Sequence, residues 1–295
     1  MIIVIVGPTG VGKTKLSIEL AKKYNGEVIN ADSMQVYKGL NIGTAKVTES
    51  EKENIPHHLF DICEVEEMYT IYDYQKDLRN KITKLEQQNK NIIIVGGTGL
   101  YIKAGLYDYK FKQEQVQKEF NDLTNEQILN KIKIYEPDCD IHINNRKRLI
   151  RLLNKYEQDL ITEKSGNNPL YNFYMIGLTT DRETLYNKIN NRVDKMIDDG
   201  LLKEVKYFYD KNINSKSIQT GIGYKELYEY FDKKCSLEDS INKIKSNSRH
   251  YAKRQYTFFN NQFKDKIHWI ETNYEDFDQT VTTAIKYIEN KKTTL

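Results

Sequence analysis

Residues 2–6, Ile-Ile-Val-Ile-Val, run directly into Gly7-Pro8-Thr9-Gly10-Val11-Gly12-Lys13-Thr14. That stretch fits G-x-x-x-x-G-K-[ST] at every fixed position. It also lies where such a motif has to lie, between a buried strand and a helix. The physics is local. Glycines let the main chain curl around a phosphate, the amide N–H groups and the helix dipole point at it, and Lys13 adds a mobile positive charge. Thr14 offers a hydroxyl to a magnesium ion. Residues Gly7 to Thr14 are therefore read as a diphosphate grip, with Mg²⁺ as the expected cofactor.

Strand and helix then alternate. A helix is expected from Lys13 to about Tyr24, with Leu16, Leu20 and Ala21 on its inner face. Val28 and Ile29 form a short strand that ends at Asn30-Ala31-Asp32-Ser33. Thr70 and Asp73 make a capping box ahead of the helical period Ile71, Tyr74, Leu78, Ile82 and Leu85. Ile92 to Val95 is another buried strand, closed by Gly96-Gly97-Thr98-Gly99. This is the pattern of a doubly wound parallel sheet, the P-loop NTPase-like α/β class. From 108 to 172 only helical segments are evident, one opened by a Thr124/Gln127 capping box, and strand character returns at Phe173 to Leu178. The expected organisation is a core of 1–107 and 173–295 interrupted by an all-helical insertion, 108–172.

Composition narrows the class. The net charge is only +3, so any affinity for nucleic acid has to come from local clustering. Ile241 to Lys266 supplies such a cluster: seven Lys/Arg against Asp265 alone, interleaved with Tyr251, Tyr256, Phe258, Phe259 and Phe263. Basic residues among aromatics serve phosphate contact and base stacking, while a packed helix with a solvated basic face has the same composition. Arg249, Lys253 and Arg254 are expected close to one face, with Ile244, Tyr251 and Phe259 as apolar positions. Cys63, Cys139 and Cys235 are scattered, with no CxxC pair and no disulfide framework, which makes the reducing cytoplasm the expected location. No apolar run approaches a membrane span. A monomer is the default expectation.

Phosphoryl-transfer enzymes with this motif carry an Asp closing a later strand. Here the strand Ile92 to Val95 ends in Gly-Gly-Thr-Gly, and the acid appears instead at Asp32. By the strand-end rule Asp32 faces the same crevice as the P-loop. It is read as a general base, as a group that orients water on magnesium, or as the cap of a turn or helix.

At this point the residues resemble the bacterial tRNA dimethylallyltransferases. The likeness is carried by Asp32-Ser33-Met34-Gln35-Val36-Tyr37-Lys38-Gly39, Ile42-Gly43-Thr44-Ala45-Lys46, Pro56-His57-His58-Leu59 and Gly96-Gly97-Thr98-Gly99-Leu100-Tyr101. It continues through Lys147-Arg148-Leu149-Ile150-Arg151, Gly221-Ile222-Gly223-Tyr224-Lys225 and Ala252-Lys253-Arg254-Gln255. The resemblance implies transfer of a dimethylallyl group from dimethylallyl diphosphate to N6 of adenosine 37 in the tRNA anticodon stem-loop. It implies that Thr9 and Arg192 act on the diphosphate beside Lys13, and that Asp32 takes the N6 proton. It further implies that Ser33, Met34, Gln35 and Thr98 line the channel around the base. Gly223, Tyr224, Lys225, Arg249, Lys253, Arg254 and Gln255 would hold the RNA, joined by Lys147, Arg148, Leu149, Ile150 and Arg151. The family's Arg-Ala-Leu-Glu tract reads Arg151-Leu152-Leu153-Asn154 here, a departure within the insertion.

Two other enzymes fit parts of the pattern. A small-molecule P-loop kinase would bind ATP with Arg182 and Arg192 as lid arginines, but the acid-free strand end argues against it. An isopentenyltransferase acting on free AMP or ATP shares the P-loop and the acid, yet needs neither the insertion nor the basic helix.

Overall fold

The computed structural model describes residues 1–111, 118–158 and 166–292. The first part of the chain runs β1 (Ile2–Val6), α1 (Lys13–Tyr24), β2 (Gly26–Asn30), α2 (Glu49–Lys52), β3 (His57–His58), α3 (Ile71–Gln87), β4 (Asn91–Val95) and α4 (Gly99–Leu106). The insertion holds α5 (Asn125–Tyr135) and α6 (Arg146–Glu157). The chain then continues through β5 (Phe173–Thr179), α7 (Arg182–Asp198), α8 (Leu201–Asp210), α9 (Lys216–Thr220) and α10 (Tyr224–Phe231). It finishes with α11 (Leu237–Phe263), β6 (Ile267–Glu271) and α12 (Phe277–Lys292).

All strand pairings are parallel, in the order β3-β2-β4-β1-β5-β6. Every residue of β1 is buried, as a central strand covered on both faces requires. Loops after β1, β2 and β4 therefore emerge together at the carboxyl edge of the sheet, where open α/β sheets bind ligands. Helix starts follow the local chemistry. Thr70 and Asp73 close a capping box on α3, Ser236 and Asp239 one on α11, and Thr124 and Gln127 one on α5.

Apolar packing stabilises the sheet-bearing unit. One cluster packs β1, β4 and β5 against α1 and α12; another gathers Val36, Tyr37 and Leu40 with side chains of α7, α8, α10 and α11. The chain divides into compact units of 1–106 with 170–295, and 107–169, where the sequence reading placed the insertion at 108–172. The insertion has a core of its own, Ile128, Ile132, Ile141, Leu149 and Leu153. Its ends meet in a bridge between Tyr107 and Pro169, and Leu170 donates its N–H to the Leu106 carbonyl at 2.8 Å in the larger unit. Asn154, at the departure from the family tract, is buried and ties down the Lys118 main chain from both sides, with bonds of 2.9 and 2.8 Å.

Two strands escaped the sequence reading. β3 has two residues, too few to show any period, and β6 is a half-exposed edge strand in which only Ile270 is buried. No helix among the described residues is long and apolar enough to cross a membrane.

Candidate active site

The P-loop conformation requires its glycines. Gly7, Gly10 and Gly12 all have φ between 90° and 134°, and a Cβ on Gly7 would stand 2.4 Å from the Leu178 carbonyl oxygen. Val11 points into the core, so it serves the loop through its main chain alone. The outer side of the loop is tied down: the Thr272 hydroxyl donates to the Val11 carbonyl at 3.0 Å and the Tyr274 hydroxyl to the Gly10 carbonyl at 3.2 Å. Nothing in the local sequence signals these two contacts.

Lys13 Nζ folds back onto the Pro8 carbonyl at 2.7 Å. Burial pushes this ammonium down to about 7, the nearby Asp32 carboxylate opposing the shift and the Arg192 guanidinium adding to it. Thr9 is held from two sides. Arg192 Nη1 donates to its hydroxyl at 2.9 Å, and its N–H donates to Gln255 Oε1 at 2.8 Å.

Asp32 caps its turn and keeps one carboxylate oxygen toward the crevice. Asn30 Oδ1 accepts the Asp32 N–H at 2.8 Å, and Asp32 Oδ1 accepts the Met34 N–H at 2.9 Å, so the residue does cap its turn. Its Oδ2 takes no hydrogen bond among the described residues. Two chambers open beside it and share a wall of Thr9, Asp32, Thr44 and Arg192. One is polar and holds Lys13, Thr14 and Ser17. The other is part apolar, with Met34, Val193, Met196, Ile222 and Ile244. An anion fits the first, an apolar or aromatic group the second, with Asp32 at the junction.

Ser33, Met34, Gln35 and Thr98 surround this junction mainly by bracing it. Thr98 Oγ1 accepts the Ser33 N–H at 3.0 Å, and Gln35 Nε2 donates to the Thr44 carbonyl at 2.9 Å. Ser33 and Met34 line the apolar chamber with Asp32, and Gln35 faces the polar one.

The residues assigned to RNA differ in their surroundings, and Gly223, Tyr224, Lys225 and Arg254 line the second chamber. Leu149 is buried in the insertion's core, which removes its side chain from any ligand, and Ile150 packs against that core. Lys147, Arg148 and Arg151 are exposed. Tyr224 is fully buried with its hydroxyl on Glu204 at 2.5 Å. The Gly223 N–H donates to the buried Glu226 at 2.7 Å, and Lys225 Nζ stands 3.6 Å from the same carboxylate. Gln255 is buried against the P-loop. Arg249 does not join the exposed face, because its guanidinium donates to Asn190 of α7 at 2.6 Å. Lys253 and Arg254 remain exposed. Tyr251, expected as an apolar core position, instead lines the second chamber with Arg254 5.7 Å from its ring. Burial holds its phenol well above the ordinary value, and the Asp32 charge adds to that.

Glu204 was not foreseen at all. Its carboxylate accepts the N–H groups of Asn41, Ile42 and Gly43 at 3.1, 2.8 and 3.1 Å, fixing the loop that carries Thr44.

No cluster of three acidic, His or Cys side chains among the described residues forms a metal cage. The donors at the polar chamber suit a hydrated cation instead. Thr14 brings a hydroxyl to the chamber lining, and His57, also on that lining, has a buried Nε2 without a protein partner. Because His57 Nδ1 meets the Ile55 carbonyl at 2.7 Å, it carries the proton. Burial pulls this histidine below its ordinary range, so Nε2 is an acceptor suited to a bound water. Magnesium retains several waters and is usually bound through few protein ligands plus phosphate oxygens, so this donor set fits it.

Fold and site together define a P-loop α/β enzyme whose anion cradle opens beside a carboxylate. Residues 35–262 match the family model described as IPP transferase. A tRNA dimethylallyltransferase of Bacillus velezensis is 49% identical over 309 residues, covering 98% of this chain and 97% of that protein. The Bacillus subtilis protein of the same name is 46% identical, covering 92% and 90%. Among solved structures, the tRNA isopentenylpyrophosphate transferase of Bacillus halodurans superposes with a TM-score of 0.78 at 39% identity, covering 98% of this chain and 96% of that one. A eukaryotic dimethylallyltransferase acting on tRNA gives 0.83 at 30% identity, covering 99% and 79%. The chain belongs to the IPP transferase family.

Proposed function

We propose that this protein transfers the dimethylallyl group of dimethylallyl diphosphate to N6 of adenosine 37 in tRNA, forming N6-dimethylallyladenosine and releasing diphosphate. The observation that carries the reading is the wall of Thr9, Asp32, Thr44 and Arg192 common to a polar and a part-apolar chamber. Diphosphate occupies the P-loop, and Lys13, Arg192 and the loop amides stabilise the charge that grows on it as the C–O bond breaks. Thr14 would hold a magnesium ion, which when bound would further neutralise the leaving group. Asp32 Oδ2 accepts the N6 proton as the new C–N bond forms at prenyl C1. The adenine, drawn out of the anticodon loop, enters the second chamber past Tyr251. Lys253 and Arg254 contact RNA phosphates, as do Lys147, Arg148 and Arg151 of the insertion. The enzyme works as a monomer in the cytoplasm.

Labelled dimethylallyl diphosphate, offered with unmodified tRNA, free AMP, or ATP plus small acceptors, tests the reading. Label is expected on adenosine 37 of tRNA alone. Label on AMP would favour a free-nucleotide acceptor, and phosphate moving from ATP to a small molecule would favour a kinase.

A further inference from the structure

Gln255 lies on the helix that presents Lys253 and Arg254 to solvent, yet it is only 5% exposed itself. Its carboxamide has one orientation that satisfies both neighbours. Oε1 accepts the Thr9 N–H at 2.8 Å, and Nε2 donates to the Gly97 carbonyl at 3.0 Å. The site is cut to this side chain. A Cβ on Gly97 would stand 2.0 Å from Gln255 Nε2, so only glycine leaves room for it.

We propose that Gln255 is a positioning residue for Thr9, fixing the P-loop for diphosphate departure rather than contacting RNA. This rests on the prenyl-transfer reading above. An amide of a phosphate-binding loop normally points at the anion. Here the Thr9 N–H is given to α11 instead, which withdraws one donor from the cradle. In exchange the Thr9 peptide plane is fixed, and with it the direction of the Thr9 hydroxyl toward Arg192, 2.9 Å away. Gln255 thus sets where Thr9 and Arg192 converge on the leaving group. Misplacement by about 1 Å at a reacting centre lowers rate by up to roughly 10²-fold, which is the scale on which such a strap acts. An RNA contact, by contrast, needs a carboxamide open to solvent, and this one is enclosed.

Two variants reach the strap from opposite ends. Gln255→Leu removes the carboxamide, and Gly97→Ala displaces it while leaving it chemically intact. Each is expected to lower kcat by about 10- to 100-fold. Affinity for unmodified tRNA and its salt dependence should stay within about twofold of wild type, because no phosphate contact is lost. The double variant should be no slower than the slower single one, since both changes break one interaction. Weakened tRNA binding with kcat retained would make Gln255 an RNA contact and overturn the proposal, as would effects that multiply in the double variant. If Gln255→Leu does not fold, Gly97→Ala alone decides by the same split between kcat and tRNA affinity. Absence of prenyl transfer in the wild type would instead overturn the functional reading itself.

Discussion

Arg192 Nη1 donates to Thr9 Oγ1 at 2.9 Å, joining α7 to the P-loop across 183 residues of sequence. Asp32 stands at the same junction and its charge supports the guanidinium that burial works against. Three residues from three loops or helices therefore bound one point between the chambers, the point at which the proposed reaction brings leaving group and nucleophile together.

The carboxylate at that point is separable from the turn it caps. Asparagine keeps an oxygen for the Met34 N–H, so Asp32→Asn preserves the local fold. It removes the proton acceptor, and kcat is expected to fall by about 10²–10⁴ while tRNA still binds. Single-turnover rates with a melting curve check this; equal rates would leave Asp32 a cap only.

Lys13 links diphosphate binding to pH. With its folded value pushed down to about 7, the empty site holds a charged lysine below that pH and a mostly neutral one above it. An anion favours the charged form, so binding takes up a proton above pH 7. Affinity should therefore fall as pH rises from there, by up to about tenfold per unit from this group. Lys13→Arg stays charged and serves as the reference that cancels the ligand's own titration. Calorimetry of inorganic diphosphate binding in buffers of different ionisation enthalpy measures the proton directly; identical uptake in both proteins would exclude Lys13 as its source.

Lys13→Ala removes a charge that backbone amides do not replace. Prenyl transfer is expected to fall by roughly 10² or more, with the melting curve little changed. Near-normal turnover would sink the role assigned to the loop.

Lys253 and Arg254 are exposed on α11, while Lys243 is paired with Glu229 and Arg249 is engaged with Asn190. Replacing both by alanine should raise the KM for tRNA and lower the log–log salt slope of binding by about one to two units. Affinity for dimethylallyl diphosphate should hold. Affinities measured across a salt series, with the Arg249→Ala protein alongside, distinguish a phosphate contact from a helix–helix one.

Glu204 gathers three main-chain N–H groups and the Tyr224 hydroxyl on one half-buried carboxylate. Glu204→Ala leaves those donors unpaired and should destabilise the protein by about 2–3 kcal/mol in urea unfolding. A change within about 0.5 kcal/mol, the usual range for surface positions, would mean that water replaces the carboxylate.

Much of this site was readable from local pattern. Ile2 to Thr14 specifies a strand, a loop and a helix by neighbouring residues alone, and the capping boxes at Thr70 and Thr124 do the same for their helices. The inward turn of Gln255, the contacts of Glu204 and the place of Tyr251 on the second chamber depend on partners far away in sequence. Gln255 meets Thr9 across 246 residues; its spacing from Ala252, Phe259 and Phe263 puts it on the buried face of α11, but local spacing does not say which loop it meets there. Resemblance placed Gln255 with its basic neighbours, and Leu149 with the cations around it. Burial separates them, and burial is a property of the packed molecule.

The Tyr107–Pro169 bridge and the Leu170–Leu106 hydrogen bond give the insertion one doorway through which the chain both leaves and returns. Splicing across that doorway would join residues that already touch, without stretching β5 or α4. The insertion, with its separate core, is thus free to lengthen, shorten or be exchanged while the sheet and the loops at its carboxyl edge stay as they are.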